Sequence, residues 1–211
     1  MFSPKTLLAA PLLLLALVFA GCGPNVALVD NVPPPAFGTR QIIARPSGGP
    51  SVAPPTRAGA WVPPVPERKW RYIIVHHSAS PTGSAAMFDR EHREHRGWNE
   101  LGYDFVIGNG SLTGDGQVEV GPRWLKQVTG AHTGVHDHPE FNEFGVGICL
   151  VGNFDLGRPT EAQLQNLATL TRWLMQRYNI PKSRVLGHGM LKPTDCPGKL
   201  FPWDDFYRRL N

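Results

Sequence analysis

From about residue 68 onward, apolar and polar positions alternate between two rhythms, one of strand length and one of helical period. Tyr72 to His76 is an unbroken apolar, β-branched run and reads as a central strand, whereas Ser84 to Arg96 reads as a helix carrying Ala86, Met87 and His92 on one face. Tyr103 to Gly108 is again strand-like. A hairpin follows, because Asp115-Gly116 is a strong turn signal between Leu112 and the alternating Val118-Glu119-Val120. Gly145 to Val151 is a second apolar strand, and Thr160 with Gln163 has the spacing of a capping box. The helix it opens keeps Leu164, Leu167, Leu170, Leu174 and Tyr178 on one side and ends before Pro181. Val185-Leu186 is a short strand, and Pro202 to Leu210 is a terminal helix. No internal repeat is visible. The order predicts a single α/β domain, a central mixed sheet flanked by helices, over residues 68–211.

The first 67 residues have neither rhythm. Residues 1–21 carry one lysine, Lys5, and then an apolar stretch from Leu7 to Ala20, which is short of the roughly 20 residues that span a bilayer and reads as an export signal. Phe19-Ala20-Gly21-Cys22 resembles the lipobox of bacterial lipoproteins, with Phe19 where leucine is usual. That resemblance implies removal of the signal, lipidation of Cys22 and attachment to a membrane; an ordinary cleaved signal is the alternative. Gly23, rather than an aspartate that would resemble an inner-membrane retention signal, points to an outer-membrane address facing the periplasm. Eleven of the 21 prolines then fall between Pro24 and Pro66. Residues 22–67 are therefore expected to form a disordered, semi-extended tether, reaching on the order of 100 Å at about 3.1 Å per residue, on whose far end Trp61 and Val62 have the chance to dock against the domain.

Charge narrows the partners. The net charge is +4, but from Arg68 onward 17 basic side chains face 15 acidic ones, so the domain carries only +2 and offers no nucleic-acid footprint. The three cysteines, Cys22, Cys149 and Cys196, have no disulfide or zinc-finger spacing, and Cys149 sits in the second apolar strand as a small buried residue.

The candidate chemistry lies at two places. Gly187 to Gly198 holds His188 and Cys196 in a loop punctuated by glycine and proline, and the first strand ends in His76 and His77. Two imidazole-bearing segments and a thiol can assemble three ligands for a zinc ion with one position open, the arrangement of a hydrolytic rather than a structural zinc. Adjacent strand residues point to opposite faces, so only one of His76 and His77 readily joins such a site. His92 and His95 share a helical face, yet Arg93-Glu94 between them do not make a His-Glu-x-x-His motif.

Six segments taken together carry a resemblance: Ile74-Val75-His76-His77-Ser78; Gly97-Trp98 with Leu101-Gly102-Tyr103-Asp104-Phe105; Gly130-Ala131-His132-Thr133; Gly147-Ile148 running into Val151-Gly152-Asn153-Phe154; Pro159 to Gln163; and His188 with Thr194-x-Cys196-Pro197-Gly198. In this order, over about Arg71 to Phe206, they resemble the zinc amidases related to peptidoglycan recognition proteins and bacteriophage lysozyme-type amidases. The resemblance implies an N-acetylmuramoyl-L-alanine amidase that cuts between the lactyl group of muramic acid and the first L-alanine of the stem peptide. It implies Zn2+ held by His76, His188 and Cys196 with water in the fourth place, and leaves His77 on the other face. Tyr103 matches a tyrosine beside the metal that can donate a hydrogen bond to a developing oxyanion. Thr194 stands where phage members have lysine and recognition-type amidases have threonine, so it supplies a hydrogen bond but no charge, and Lys192 is the nearest replacement cation. His92, His132 and Asn142 match groove positions expected to hold sugar or peptide. No glutamate occupies Gly147 to Val151, where related intracellular amidases carry one, so the general base is left open. The expected partner is peptidoglycan, met as a monomer in the cell envelope. The alternatives are a non-catalytic peptidoglycan-binding module and a zinc amidase acting on another amide; the presence of Cys196 favours an enzyme.

Overall fold

The computed structural model describes residues 58–211. The expected signal, Cys22 and nearly all of the tether lie outside the described residues. Strands β1 (Tyr72–His77), β2 (Phe105–Ile107), β3 (Val118–Val120), β4 (Gly145–Leu150) and β5 (Val185–Gly187) form one sheet in the order β3-β2-β4-β1-β5. Strand β1 runs parallel to β4 and β5, β2 runs parallel to β4, and β3 is antiparallel at the edge, so the expected mixed sheet is present.

The period-two rule sorts the strands onto two faces. Ile73 and Val75 of β1, with Phe105, Ile107, Ile148 and Leu150, point to the larger core. Helix α4 (Glu161–Tyr178) covers that face, burying Leu164, Leu167, Leu170 and Leu174, each contributing about 2 kcal/mol by its removal from water. Thr160 caps α4 as its spacing predicts, with Oγ1 accepting from Gln163 N at 3.0 Å and the Gln163 side chain accepting from Thr160 N at 3.1 Å. The same glutamine, buried, donates to Ile107 O and Val151 O, and so ties the start of the helix to the ends of β2 and β4.

The opposite face carries Val106 and Cys149 under helix α1 (Ala85–Arg96), packed with Phe88 and Leu101. Cys149 is fully buried, as its strand position predicts. Three local expectations change. The buried side of α1 is made by Phe88 and His92, while Ala86 is exposed, because Ser84 caps the helix and the apolar stripe starts one residue later than the sequence reading places it. Strand β2 begins at Phe105; Tyr103 precedes the ladder, as the chain turns there to reach the sheet. Leu112 is 57% exposed in the long loop of the hairpin rather than in a strand, although Gly116 does take the left-handed turn conformation (φ 74°).

The packed chain also starts before residue 68. Ala58–Trp61 form a 3-10 turn, and Trp61 is 2% exposed, against the edge of Trp173 and with its carbonyl accepting from Trp124 Nε1 at 2.7 Å. Val62 stays at the surface. The remaining helices are short: α2 (Pro122–Lys126), α3 (Glu140–Glu143) and α5 (Trp203–Arg208). None of the helices in the described residues is long and apolar enough to cross a membrane.

Candidate metal centre and cleft

Parallel strands end on a common rim, and this is where the candidate ligands meet. His76 leaves β1 on the α1 face, and His188 follows β5 directly in a 3-10 turn, His188–Met190. Cys196 returns from the loop beyond, where Gly189 N donates to Cys196 O at 2.7 Å. One nitrogen from each histidine and the Cys196 sulfur lie within 4.8 Å of one another. His77, on the other face, accepts from Phe154 N through Nδ1 at 3.1 Å and contributes only its backbone to the cluster, His77 N donating to Cys196 Sγ at 3.4 Å.

The hydrogen bonds fix which nitrogens are free. Gly145 O can only accept, so His132 Nε2, 3.2 Å away, carries a proton; its Nδ1 is then the acceptor for His76 Nε2–H at 3.0 Å. Burial holds both rings neutral, pushing His132 down to about 4 and His76 well below the usual range. His76 Nδ1 is left with a lone pair 3.7 Å from Cys196 Sγ. His188 follows the same logic: Nε2–H donates to Thr133 O at 2.6 Å, leaving Nδ1 free. This carbonyl-to-imidazole support is what orients ligating histidines in metal sites. Two imidazole nitrogens and a thiol also suit zinc by softness, and tetrahedral zinc would place sulfur and nitrogen roughly 3.5 Å apart. The residues present therefore fit the ion. Burial pushes the Cys196 thiol up to about 12, so the sulfur takes up a proton unless a cation shares the site.

The cluster sits in a cleft of about 410 Å³ that also takes in Tyr103, His92 and Thr194. The Tyr103 ring lies 5.2 Å from that of His76, and burial holds its phenol well above the ordinary range, so it remains a donor. His92 is buried and lines the cleft; Nδ1 accepts from Gly102 N at 3.0 Å, so the ring proton sits on Nε2. Thr194 is exposed at the rim, its Oγ1 accepting from Cys196 N at 3.4 Å.

Two expected groove residues line the cleft and also support the cluster. Both ring nitrogens of His132 are taken, by His76 and by Gly145 O, so it positions a ligand rather than offering free polar atoms to a substrate. Its ring lies directly on Gly147, where an added Cβ would come within 2.6 Å, and this close approach excludes a glutamate from that strand position. Asn142 Oδ1 accepts from both His132 N and Thr133 N, which pins the loop carrying His132. Lys192 stands away from the cluster on an arm of the cleft, its Nζ donating to Gly134 O at 3.2 Å.

Sequence reasoning missed Asp155 and Asp195, both lining the cleft. Asp155 follows the Gly152-Asn153-Phe154 segment and accepts from Lys199 N at 2.9 Å, fastening the loop that carries Cys196. Asp195 lies inside the Thr194-x-Cys196 motif, so adjacency to a ligand was the available signal. The cleft continues on both sides of the cluster. One arm runs past Cys196 to Met190 and Trp203, the other past His132 to Asn142 and Lys192.

The fold and the site together define an α/β amidase-type domain, with its cleft at the carboxyl ends of the parallel strands. Residues 66–199 match the family described as N-acetylmuramoyl-L-alanine amidase, and the chain belongs to that family. It is 33% identical over 137 residues to peptidoglycan-recognition protein LB of Drosophila melanogaster, covering 60% of this chain and 54% of that protein, so it spans about half of the relative's length. Among solved structures, the amidase LysC from Clostridium intestinale URNW superposes with a TM-score of 0.58 at 30% identity, covering 68% of this chain and 86% of that one. A Drosophila PGRP-LB mutant solved in complex with tracheal cytotoxin gives a TM-score of 0.53 at 27% identity, over 69% and 89% of the two chains.

Proposed function

We propose that the protein is a zinc-dependent N-acetylmuramoyl-L-alanine amidase that hydrolyses the amide between the muramic lactyl group and the first L-alanine of peptidoglycan. The observation that carries this reading is the convergence of His76, His188 and Cys196, each with a free lone pair or an ionisable sulfur, at the floor of an open cleft. A non-catalytic binder has no need of the thiol or of the hydrogen bonds that aim both Nδ1 atoms inward. When bound there, zinc supplies Lewis acidity toward the scissile carbonyl and a lowered pKa for water. Tyr103, kept protonated by burial, donates toward the oxygen that gains charge as the carbonyl is attacked, and the Thr194 hydroxyl donates from the rim. His92 Nε2–H and the two arms of the cleft hold a substrate that extends both ways from the bond cut, as a glycan bearing a stem peptide does. Digestion of purified peptidoglycan is expected to release stem peptides with a free L-alanine amino group, identified by mass spectrometry; new reducing sugar ends would mean a glycosidase instead.

We further propose that the amidase is lipid-anchored at Cys22 and works from the outer membrane into the periplasm, on wall remodelling or recycling. The Phe19-Ala20-Gly21-Cys22 segment and the proline-rich stretch after it support that reading. Cys22→Ser is expected to move the protein from membrane to soluble fractions, and an unchanged fractionation would argue against the anchor.

A further inference from the structure

The parallel strands that deliver the ligands at one end begin, at the other, in arginines. Arg71 immediately precedes β1 and Arg184 immediately precedes β5, so the two strands carry a cation at entry and a histidine at or just after exit. From Arg71 to His76 is five residues, about 17 Å of strand. Around Arg71 and Arg184 lies a depression of about 480 Å³ whose rim also holds Arg68, Lys69 and Arg177. Its floor is Trp70, 2% exposed.

Five cations around one depression are unexpected in a domain that carries only +2 overall, and most lack a carboxylate. Arg177 is paired with Glu67, which also accepts from Tyr178. Among the described residues no acidic group lies within 4 Å of Arg68, Lys69, Arg71 or Arg184. Aromatic rings hold three of them in place: the guanidinium of Arg68 lies over Trp70, that of Arg71 over Phe144 and that of Arg184 over Tyr72. Lys69, Arg71, Arg177 and Arg184 are exposed. Arg68, Arg71 and Arg184 are thus held in place with no carboxylate partner, and Lys69 adds a fourth unpaired cation, which suits a surface of phosphates.

We propose that this basic pole docks on the phosphates of an anionic phospholipid surface, and that docking turns the cleft away from the membrane. Charge complementarity favours such an occupant, and so does the path of the chain. The 57 residues before the described domain, with their apolar run from Leu7 to Ala20, join it through Trp61 and Glu67, which pack on Trp173 and Arg177 of α4 beside this pole. The cleft then faces the opposite direction, toward a polymer lying beyond the lipid.

The test is co-sedimentation of the full chain with vesicles of phosphatidylcholine alone and of phosphatidylcholine with a minority of phosphatidylglycerol, so that insertion of the N-terminal segment is common to both. Each basic side chain near an anionic surface strengthens binding about fivefold. Lys69→Gln/Arg71→Gln/Arg184→Gln is therefore expected to lower the preference for the anionic vesicles by on the order of 100-fold, with the melting temperature unchanged. Arg90→Gln/Arg158→Gln/Arg208→Gln removes the same net charge elsewhere and is expected to retain most of the preference. Equal loss in both variants, or none in the first, would overturn the proposal. Displacement by inorganic phosphate at matched ionic strength would reassign the pole to a free anion, and equal binding to a DNA duplex would make it a general polyanion surface; either result contradicts the lipid assignment.

Discussion

Replacing Cys196 by alanine is expected to empty the site of metal and to lower peptidoglycan hydrolysis by at least about 1,000-fold, the equivalent of the several kcal/mol that a Lewis-acidic metal contributes. The size follows from the structure. Cys196 is the one sulfur in a three-residue set, and its removal leaves only the imidazoles of His76 and His188, ring centroids 4.7 Å apart, one ligand short of the three that a hydrolytic zinc takes from protein. Stability should change little in the metal-free state, because Cys196 lies outside both hydrophobic core clusters and its loop is held independently by Gly189 N to Cys196 O and by Lys199 N to Asp155. Metal analysis of the purified full chain, together with release of stem peptides, checks both halves. A variant that retained zinc at one ion per chain would remove Cys196 from the ligand set.

Asp104→Asn is expected to stabilise the protein above pH 7. The carboxyl of Asp104 is fully buried next to Tyr103, with Oδ2 accepting from Gly147 N at 2.8 Å and Oδ1 without a partner. Burial raises it from 3.8 to about 7. A group raised on folding favours the native state while both states are protonated and loses that contribution as pH climbs toward the folded value. Wild type should therefore lose stability between about pH 4 and pH 7, on the order of 4 kcal/mol from this group, and stay level above. The asparagine variant keeps the acceptor for Gly147 N and has no proton to lose. The buried histidines His76, His92 and His132, and the partly buried His188, act in the opposite sense, since their depressed values give stability above about pH 6.5 that is lost as pH falls. Those contributions are common to both proteins, so the difference between denaturant midpoints across pH isolates Asp104. Parallel curves would show that the carboxyl is not held protonated by the fold.

Much of this architecture was legible because long-period signals survive in one dimension. Helix α4 announced itself by four leucines and a cap, and β1 and β4 by unbroken apolar runs. His76, His188 and Cys196 could be picked out for a different reason: the residue types are distinctive, and the structure brings their ligand atoms within 4.8 Å of one another. What was not legible depends on contacts across distant segments. His132 and His76 are 56 residues apart, and nothing in Gly130-Ala131-His132-Thr133 says that the ring, besides lining the cleft, accepts from a candidate ligand. Asn142 has a second task that no local motif shows, its side-chain oxygen accepting from two backbone amides of the loop that carries His132 while the residue lines one arm of the cleft. Trp61 docks against the domain as the sequence allowed, whereas its neighbour Val62 stays at the surface, and composition alone does not separate the two.

Zinc-edge X-ray absorption on the zinc-loaded full chain tests the central claim most directly. The expected spectrum has one sulfur at about 2.3 Å and two imidazole nitrogens at about 2.0–2.1 Å, with the remaining coordination from a light atom. A spectrum without sulfur, or one unchanged in Cys196→Ala, would contradict a centre built from His76, His188 and Cys196.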